Sequence, residues 1–387
     1  MQPPASYQAL VREGNTLRIE QAPIETPRPG GLLVALEYVG VCGTDLQILN
    51  GTRPDTAAVL GHEGIGTVAL AGEGTRMHPG DRLVFNPVAQ LSAGRLLGHN
   101  VDGLFQQYIA IDPQAVESGL VLPAQDCSPS ICGALVEPLG AVIYAYELIS
   151  RAVPRLRSAA VFGAGPVGLL ATQLLSALGV KVCLVHPRQT RLNTAAELQL
   201  IDLDATLTVS ESLPEQLLAR NDGNRFDACL ICTTRQGAPL ALRHALAVVA
   251  SDGCIDLVTN YPENGSVPEG FDTESLRTVR AANVCGAPRE GAYLHIEAQG
   301  RRLAITGHRG TSADHLDKAM RELRSRAASY TKLITHVLSL RSAVDAIPTL
   351  AYSAERALNG RDCIKAVIDL TPDGESECAV TSACASK

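Results

Sequence analysis

Three short stretches carry the residue types from which a metal centre can be built. Residues 40–46 read Gly-Val-Cys42-Gly-Thr44-Asp45-Leu, and residues 61–64 read Gly-His62-Glu63-Gly. Residues 137–139 read Glu137-Pro-Leu inside an apolar run. A thiol, an imidazole and two carboxylates are donors that a catalytic zinc takes, with one place left for water or substrate. Thr44 follows Cys42 by two positions, so its hydroxyl can reach an oxygen held at such a centre. Each residue alone has a plainer explanation. A cysteine is most often a small buried hydrophobe, and a histidine is most often a satisfied core or surface group. Glu137 is less ordinary, because burying an unpaired carboxylate is expensive.

A second constellation spans residues 158–191. Ser158 to Phe162 reads as a short apolar strand. It runs into Gly163-Ala-Gly165-Pro166-Val167-Gly168 and an apolar helix from Leu169 to Leu178, which Gly179 ends. Lys181 to Val185 reads as the next strand. Between a strand and a helix, G-x-G-x-x-G is a dinucleotide fingerprint. The glycines allow the turn and let a pyrophosphate approach the helix N-terminus, whose N–H groups and dipole favour anions. A domain that prefers NAD has an acidic residue after the second strand to bind the ribose 2′-hydroxyl. Here the residues after Val185 are His186, Pro187, Arg188, Gln189, Thr190 and Arg191. Arginine binds phosphate oxygens in bidentate fashion, so the stretch predicts NADP over NAD. The plainer reading makes Arg188 and Arg191 solvated residues of the next helix.

The elements around these residues alternate. Residues 7–39 are β-rich, and 32–39 form the strand that delivers the chain to Cys42. A short helix is expected from about Thr44. Ser128-Pro129 reads as a cap and first turn of a helix running to about Leu148, with Leu135, Leu139, Val142, Ile143 and Tyr146 as its apolar stripe. Beyond Val185, strands are expected at 204–209, 226–232, 253–258 and 303–307, the last closing a parallel sheet, with a helix at 238–249. Alternation of β and α implies a doubly wound α/β sheet. Residues 262–302 yield no assignment; the loop 286–291 is left between an approach to the nicotinamide and a surface turn. A charged helix at 313–326 and strands at 335–340 and 363–370 follow. Residues 371–387 are expected to be a disordered tail.

Composition narrows the function. The chain has 387 residues, enough for two domains, and a net charge of −7 from 33 basic and 40 acidic groups. No basic stripe is visible, which argues against nucleic acid. No apolar run of membrane-spanning length is expected, and the start lacks the charged and apolar parts of a signal peptide. Eleven scattered cysteines suit reduced thiols in a cytoplasmic protein. Cys229 and Cys232 fall on a buried strand, where residues three apart point to opposite faces.

Taken in order, Cys42-Gly-Thr-Asp, Gly-His62-Glu63-Gly and Glu137-Pro-Leu resemble the zinc-dependent medium-chain dehydrogenase/reductase superfamily. Glu137 is similar to the polyol, glucose and threonine dehydrogenase branch, and the resemblance covers roughly residues 7 to 370. It implies a Rossmann cofactor domain, residues 151–305, inserted into a β-rich, GroES-like catalytic domain of residues 1–150 and 306–370, with the active site in the cleft between them. It implies Cys42, His62 and Glu137 as zinc ligands, with Glu63 as a fourth ligand or one that exchanges with water. Thr44 would relay the proton of the alcohol. Zinc would act on a secondary alcohol or ketone of a polyol, sugar, cyclitol or amino alcohol, and the nicotinamide would carry the hydride. Relatives pair edge strands of the cofactor domain, so a homodimer joined near residues 276–302 is expected. Many relatives carry four cysteines for a structural zinc where residues 86–103 contain none, so one zinc per chain is expected. Two rival readings are a zinc-free quinone or enone reductase of the same superfamily and a non-catalytic relative.

Overall fold

A computed structural model describes residues 3–372 apart from 264, 268–270 and 289. The expected disordered tail lies, from residue 373 on, outside the described residues. The chain forms two compact units: 1–137 with 316–387, and 138–315. The resemblance implies borders at 150/151 and 305/306; in this division the first border lies at the head of a long helix.

In the first unit, β1 (Ser6–Glu13) and β2 (Thr16–Pro23) form an antiparallel hairpin. Next come β3 (Leu32–Gly40), α1 (Gly43–Leu49), β4 (Glu63–Ala71), β5 (Arg82–Phe85), β6 (Tyr108–Ile111) and β7 (Val121–Pro123). The helix α2 (Val136–Ala152) starts at the unit's edge. Ser128-Pro129 does not open this α-helix directly. A 3-10 segment, Ser130–Leu135, intervenes, as such turns often do at helix starts. The run Ser130–Ala152 is the one helix among the described residues with the length and apolarity of a membrane span. That corrects the expectation of none. Its most apolar window is 72% buried inside the protein, as a core helix is.

The second unit holds β8 (Ser158–Phe162), α3 (Pro166–Ala177), β9 (Lys181–His186), α4 (Gln189–Glu197), β10 (Thr206–Thr208), α5 (Leu213–Arg220), β11 (Phe226–Ile231), α6 (Ala238–Val248), β12 (Val249–Asp256), α7 (Thr273–Ala281), β13 (Leu294–Ala298) and β14 (Arg301–Thr306). Its sheet order is β10-β9-β8-β11-β12-β14-β13. The first six strands are parallel. All five residues of β8 are buried, which is why it reads as a continuous apolar run. β14 is the last parallel strand, but it does not close the sheet. β13, from the unassigned stretch, adds antiparallel to its outer edge. Its Leu-His-Ile-Glu-Ala alternates as a half-buried edge strand should. The 283–288 segment forms a small antiparallel ladder, and residue 289 of the neighbouring loop lies outside the described residues.

The chain then forms α8 (Ala313–Ser325) and completes the first unit's sheet with β15 (Ile334–Ser339), α9 (Leu340–Tyr352) and β16 (Lys365–Asp369). That sheet runs β15-β16-β3-β4-β5-β7, with β6 also on β3. β16 pairs antiparallel with the end of β3, Val367 opposite Gly40. β3 in turn pairs Gly40 with Glu63 of β4. Three strands therefore converge where Cys42, His62 and Glu63 begin.

Candidate metal centre and cofactor loop

Cys42 is the N-cap of α1. Thr44 N–H donates to Cys42 Sγ at 3.4 Å, and Cys42 N–H donates to Asp45 Oδ2 at 2.8 Å. The short helix thus fixes the sulfur. Asp45 Oδ1 accepts from Gly61 N–H at 3.1 Å and lies 3.5 Å from His62 Nδ1. Burial works against the Asp45 carboxylate, but His62 and the two backbone N–H groups outweigh it and hold its pKa below the ordinary value. Burial likewise works against a charged His62, and Asp45 and Cys42 carry its pKa well above the ordinary value. A carboxylate behind one ring nitrogen fixes the ring and leaves the other nitrogen as a ligand.

Glu63 is the first residue of β4 and is 2% exposed. Its Oε2 pairs with the ammonium of Lys365, which also donates to Val41 O at 3.1 Å. Lys365 is 1% exposed. Burial disfavours its charge, but Glu63 and then Cys42 raise its pKa above the ordinary value. Gly40 makes room for this pair. A Cβ there would lie 2.8 Å from Lys365 Cε and 2.9 Å from Glu63 Oε2.

The ligand atoms of Cys42, His62 and Glu63 lie within 4.8 Å of one another, the one such group of His, Cys, Asp and Glu among the described residues. Glu137, second in α2, lies outside that trio. Burial first, and then the charge of Glu63, push its pKa up to about 7. Burial and Glu63 also raise the Cys42 thiol. A divalent cation relieves this crowding of anionic donors and deprotonates a thiol it binds, so the donor set fits zinc. Thr44 is partly buried beside Cys42. Asp45 and Lys365 are partners that local sequence patterns do not reveal. Lys365 left one visible signal, a lone lysine inside Cys-Ile-Lys-Ala-Val-Ile. His99 carries no signal in the sequence, yet its ring centroid lies 5.0 Å from that of His62. Burial, and then the charges of His62 and Arg53, push its pKa down to about 4, so it is neutral.

In the second unit, Gly163 has φ +114°, and its N–H donates to Val185 O at 2.7 Å. A Cβ on Gly168 would fall 1.8 Å from Gly163 O. Only glycine lets helix and loop approach so closely. Gly165 caps α3 without a side-chain bond, and Pro166 and Val167 open the helix, leaving first-turn N–H groups for an anion. Ala164 N–H donates to His186 Nδ1 at 3.2 Å. Burial and then Arg191 and Arg188 push His186 down to about 4, so it is neutral and its proton sits on Nε2. Arg188 caps α4 and is half-buried, whereas Arg191 is only 3% exposed. Arg191 is therefore not the solvated helix residue of the plainer reading.

Two other groupings resemble sites. Cys229 is wholly buried in β11, and Cys232 follows the strand. Both are free thiols. Ser312 Oγ lies 3.0 Å from His315 Nδ1, and His315 Nε2 lies 3.3 Å from Glu147 Oε2. These are triad residue types. However, Nδ1 also faces Ser312 N–H at 3.1 Å, and His315 N–H donates to Ser312 Oγ at 3.3 Å. The histidine nitrogen that a base would use is occupied, and the arrangement is a cap for α8.

These features describe a two-unit α/β protein with a thiol–imidazole–carboxylate centre and a glycine-rich dinucleotide loop. The family model for the alcohol dehydrogenase GroES-like domain matches residues 28–120, and that for zinc-binding dehydrogenase matches 166–292. An alcohol dehydrogenase of Rhizobium meliloti is 30% identical over 309 residues, 73% of this chain and 85% of its own. The chain belongs to the medium-chain dehydrogenase/reductase superfamily, alcohol dehydrogenase-like. Its fold matches the crystal structure of 2R,3R-butanediol dehydrogenase from Bacillus subtilis, with TM-score 0.71, 22% identity, and coverage of 94% of this chain and 99% of that one. It also matches a short chain alcohol dehydrogenase from E. coli CFT073 complexed with NADH, with TM-score 0.69, 19% identity, and coverage of 95% and 100%.

Proposed function

We propose that the protein is a zinc- and nicotinamide-dependent dehydrogenase that moves a hydride between its cofactor and a secondary alcohol or ketone of polyol type. The observation that carries this is the group of Cys42, His62 and Glu63 donors within 4.8 Å, in a unit built around it. Cys42, His62 and Glu137 would hold the metal. Glu63, paired with Lys365, would serve as a fourth ligand or as a neighbouring carboxylate that exchanges with water. When bound, zinc supplies Lewis-acid polarisation and the nicotinamide supplies the redox chemistry. Asp45 keeps His62 oriented, and Thr44 passes the substrate proton to a ribose hydroxyl or solvent. A relative named for butanediol supports a substrate with neighbouring hydroxyls. The intact donor set speaks against a zinc-free reductase and against a non-catalytic role.

The cofactor is held by the 163–168 loop, with NADP preferred. A structural relative carries NADH, but here no carboxylate follows β9, and Arg188 stands beside His186. Two copies pair through the outer edge of the cofactor sheet, where β13 is the edge strand. Elemental analysis is expected to give one zinc per chain; two tightly held ions would overturn this. A panel of polyols, sugars and ketones read by nicotinamide absorbance is expected to show turnover of a vicinal diol or polyol. kcat/KM with NADP should exceed that with NAD by about tenfold, the worth of one charge-assisted hydrogen bond. Arg188→Ala should narrow that ratio, and a preference for NAD in the unmodified protein would refute the cofactor reading. Sedimentation at micromolar concentration should show a dimer, and a monomer alone would refute the pairing.

A further inference from the structure

His99 is held more firmly than a loop residue needs to be. Its Nδ1 lies 3.3 Å from Asp55 Oδ1 and 3.3 Å from Arg53 Nη2. Arg53 in turn bonds Asp55 through Nε at 2.8 Å and Nη2 at 3.3 Å. Arg12 Nη2 donates to Asp55 O at 3.1 Å. The His99 backbone is pinned as well, its O accepting from Ala57 N–H at 2.7 Å and its N–H donating to Leu96 O at 3.1 Å. One face of the network is thus three chain segments, and the ring itself lies against His62, centroids 5.0 Å apart and tilted by 52°.

Nδ1 sits between a permanent donor, Arg53, and a permanent acceptor, Asp55. Either tautomer of the neutral ring is therefore satisfied at Nδ1. Nε2 is left able to donate in one tautomer and to accept in the other. Among the described residues nothing hydrogen-bonds Nε2, and it is not among the buried polar atoms that lack a partner, so it keeps access to solvent. A hydroxyl is the ligand that both donates and accepts. The ring lies against the imidazole assigned to the metal, and a diol whose reacting oxygen is held at that centre carries its next hydroxyl one carbon away.

We propose that His99 binds the hydroxyl adjacent to the one oxidised, and so selects vicinal diols and polyols over simple alcohols. This rests on the dehydrogenase reading above. A purely structural role, in which His99 only ties residues 53–57 to residues 96–99, would instead weaken all substrates alike.

The test compares butane-2,3-diol with butan-2-ol in the zinc-loaded protein, with zinc content measured for every variant. His99→Phe keeps a ring against His62 and removes the polar edge. Its loss of kcat/KM on the diol should exceed its loss on the mono-alcohol by about tenfold, the weight of one hydrogen bond, and should fall mainly on KM. His99→Gln restores a group that donates and accepts, and should recover part of the difference. Calorimetric Kd values for the two alcohols should show the same divergence without turnover. Equal losses on both alcohols, or an unchanged diol Kd in His99→Phe, overturn the assignment. If the unmodified protein oxidises neither alcohol, the proposed reaction falls, and the Kd comparison alone decides the role of His99.

Discussion

Two buried charge clusters, one in each unit, are built in opposite ways. In the first unit the buried carboxylates of the cluster face groups of opposite polarity. Asp45 is met by His62 and two backbone N–H groups, and Glu63 by Lys365. In the second unit, Asp256 at the end of β12 is fully buried, and neither of its carboxylate oxygens has a hydrogen-bond partner. Nearby Arg280 spends one nitrogen on Val258 O at 2.9 Å, and its Nε has no partner. A satisfied polar network holds its members in one geometry, whereas an unanswered buried charge is relieved by taking up or losing a proton. The first cluster is therefore a preorganised scaffold for ligands. The second holds a carboxyl whose pKa burial raises to about 7.

The sharpest way to break the comparison is to remove a donor from the first cluster. Cys42→Ser should abolish metal retention and dehydrogenase activity together, while the second unit still binds nucleotide. Elemental analysis and nucleotide titration check both halves. Retained zinc with full activity would show that the sulfur is only a helix cap. Next in size is Lys365→Ala. It strands Glu63 as an uncompensated buried carboxylate, and removing one partner of such a pair typically destabilises by about 3–5 kcal/mol. Denaturant unfolding should show that loss in the metal-free protein. Added zinc should recover part of it, because a cation would then answer Glu63. A loss below about 1 kcal/mol would mean that water reaches the pair.

The difference between the clusters also marks what the sequence made legible. Cys42, His62 and Glu63 sit in short local patterns, and the strand–glycine–helix order of 158–177 exposes the cofactor loop. The alternating elements were enough for the doubly wound sheet. The partners were not legible, because pairing is made by the fold. Lys365 is 302 residues from Glu63, and His99 lies 46 residues beyond Arg53. His186 was noticed for what it was not, a carboxylate; its bond to Ala164 needs the loop geometry. β13 is hard to read from sequence because three partly buried residues alternating with two exposed ones give a weak signal, and because its pairing with β14 comes after a long unpatterned stretch. Asp256 sits in Cys-Ile-Asp-Leu-Val, where a single acid in an apolar strand could have been flagged.

The smallest effect expected concerns that acid. Burial pushes the Asp256 carboxyl up to about 7, with the charge of Arg280 working against the rise. An unfolded aspartate titrates near 4. Between about pH 4 and pH 7 the folded protein therefore holds a proton that the unfolded chain has released, and stability falls as pH rises through that window. The contribution of the protonated acid is fully present below about pH 4 and is lost as pH passes about 7. Arg280 is lowered by burial only to about 10 and stays charged throughout. His308 is driven down by burial and then by Arg280, to about 3, so it adds a slope of opposite sign between about pH 3 and 6.5. That slope is common to the unmodified protein and Asp256→Asn and cancels when the two are compared. Asp256→Asn removes the titration and keeps the shape. Its melting temperature should therefore gain on that of the unmodified protein as pH rises from 5 to 8, by the equivalent of about 1–3 kcal/mol, the penalty of a buried group left unsatisfied. Parallel pH profiles for the two proteins would show that Asp256 is ionised and answered after all, and that the two clusters are built alike.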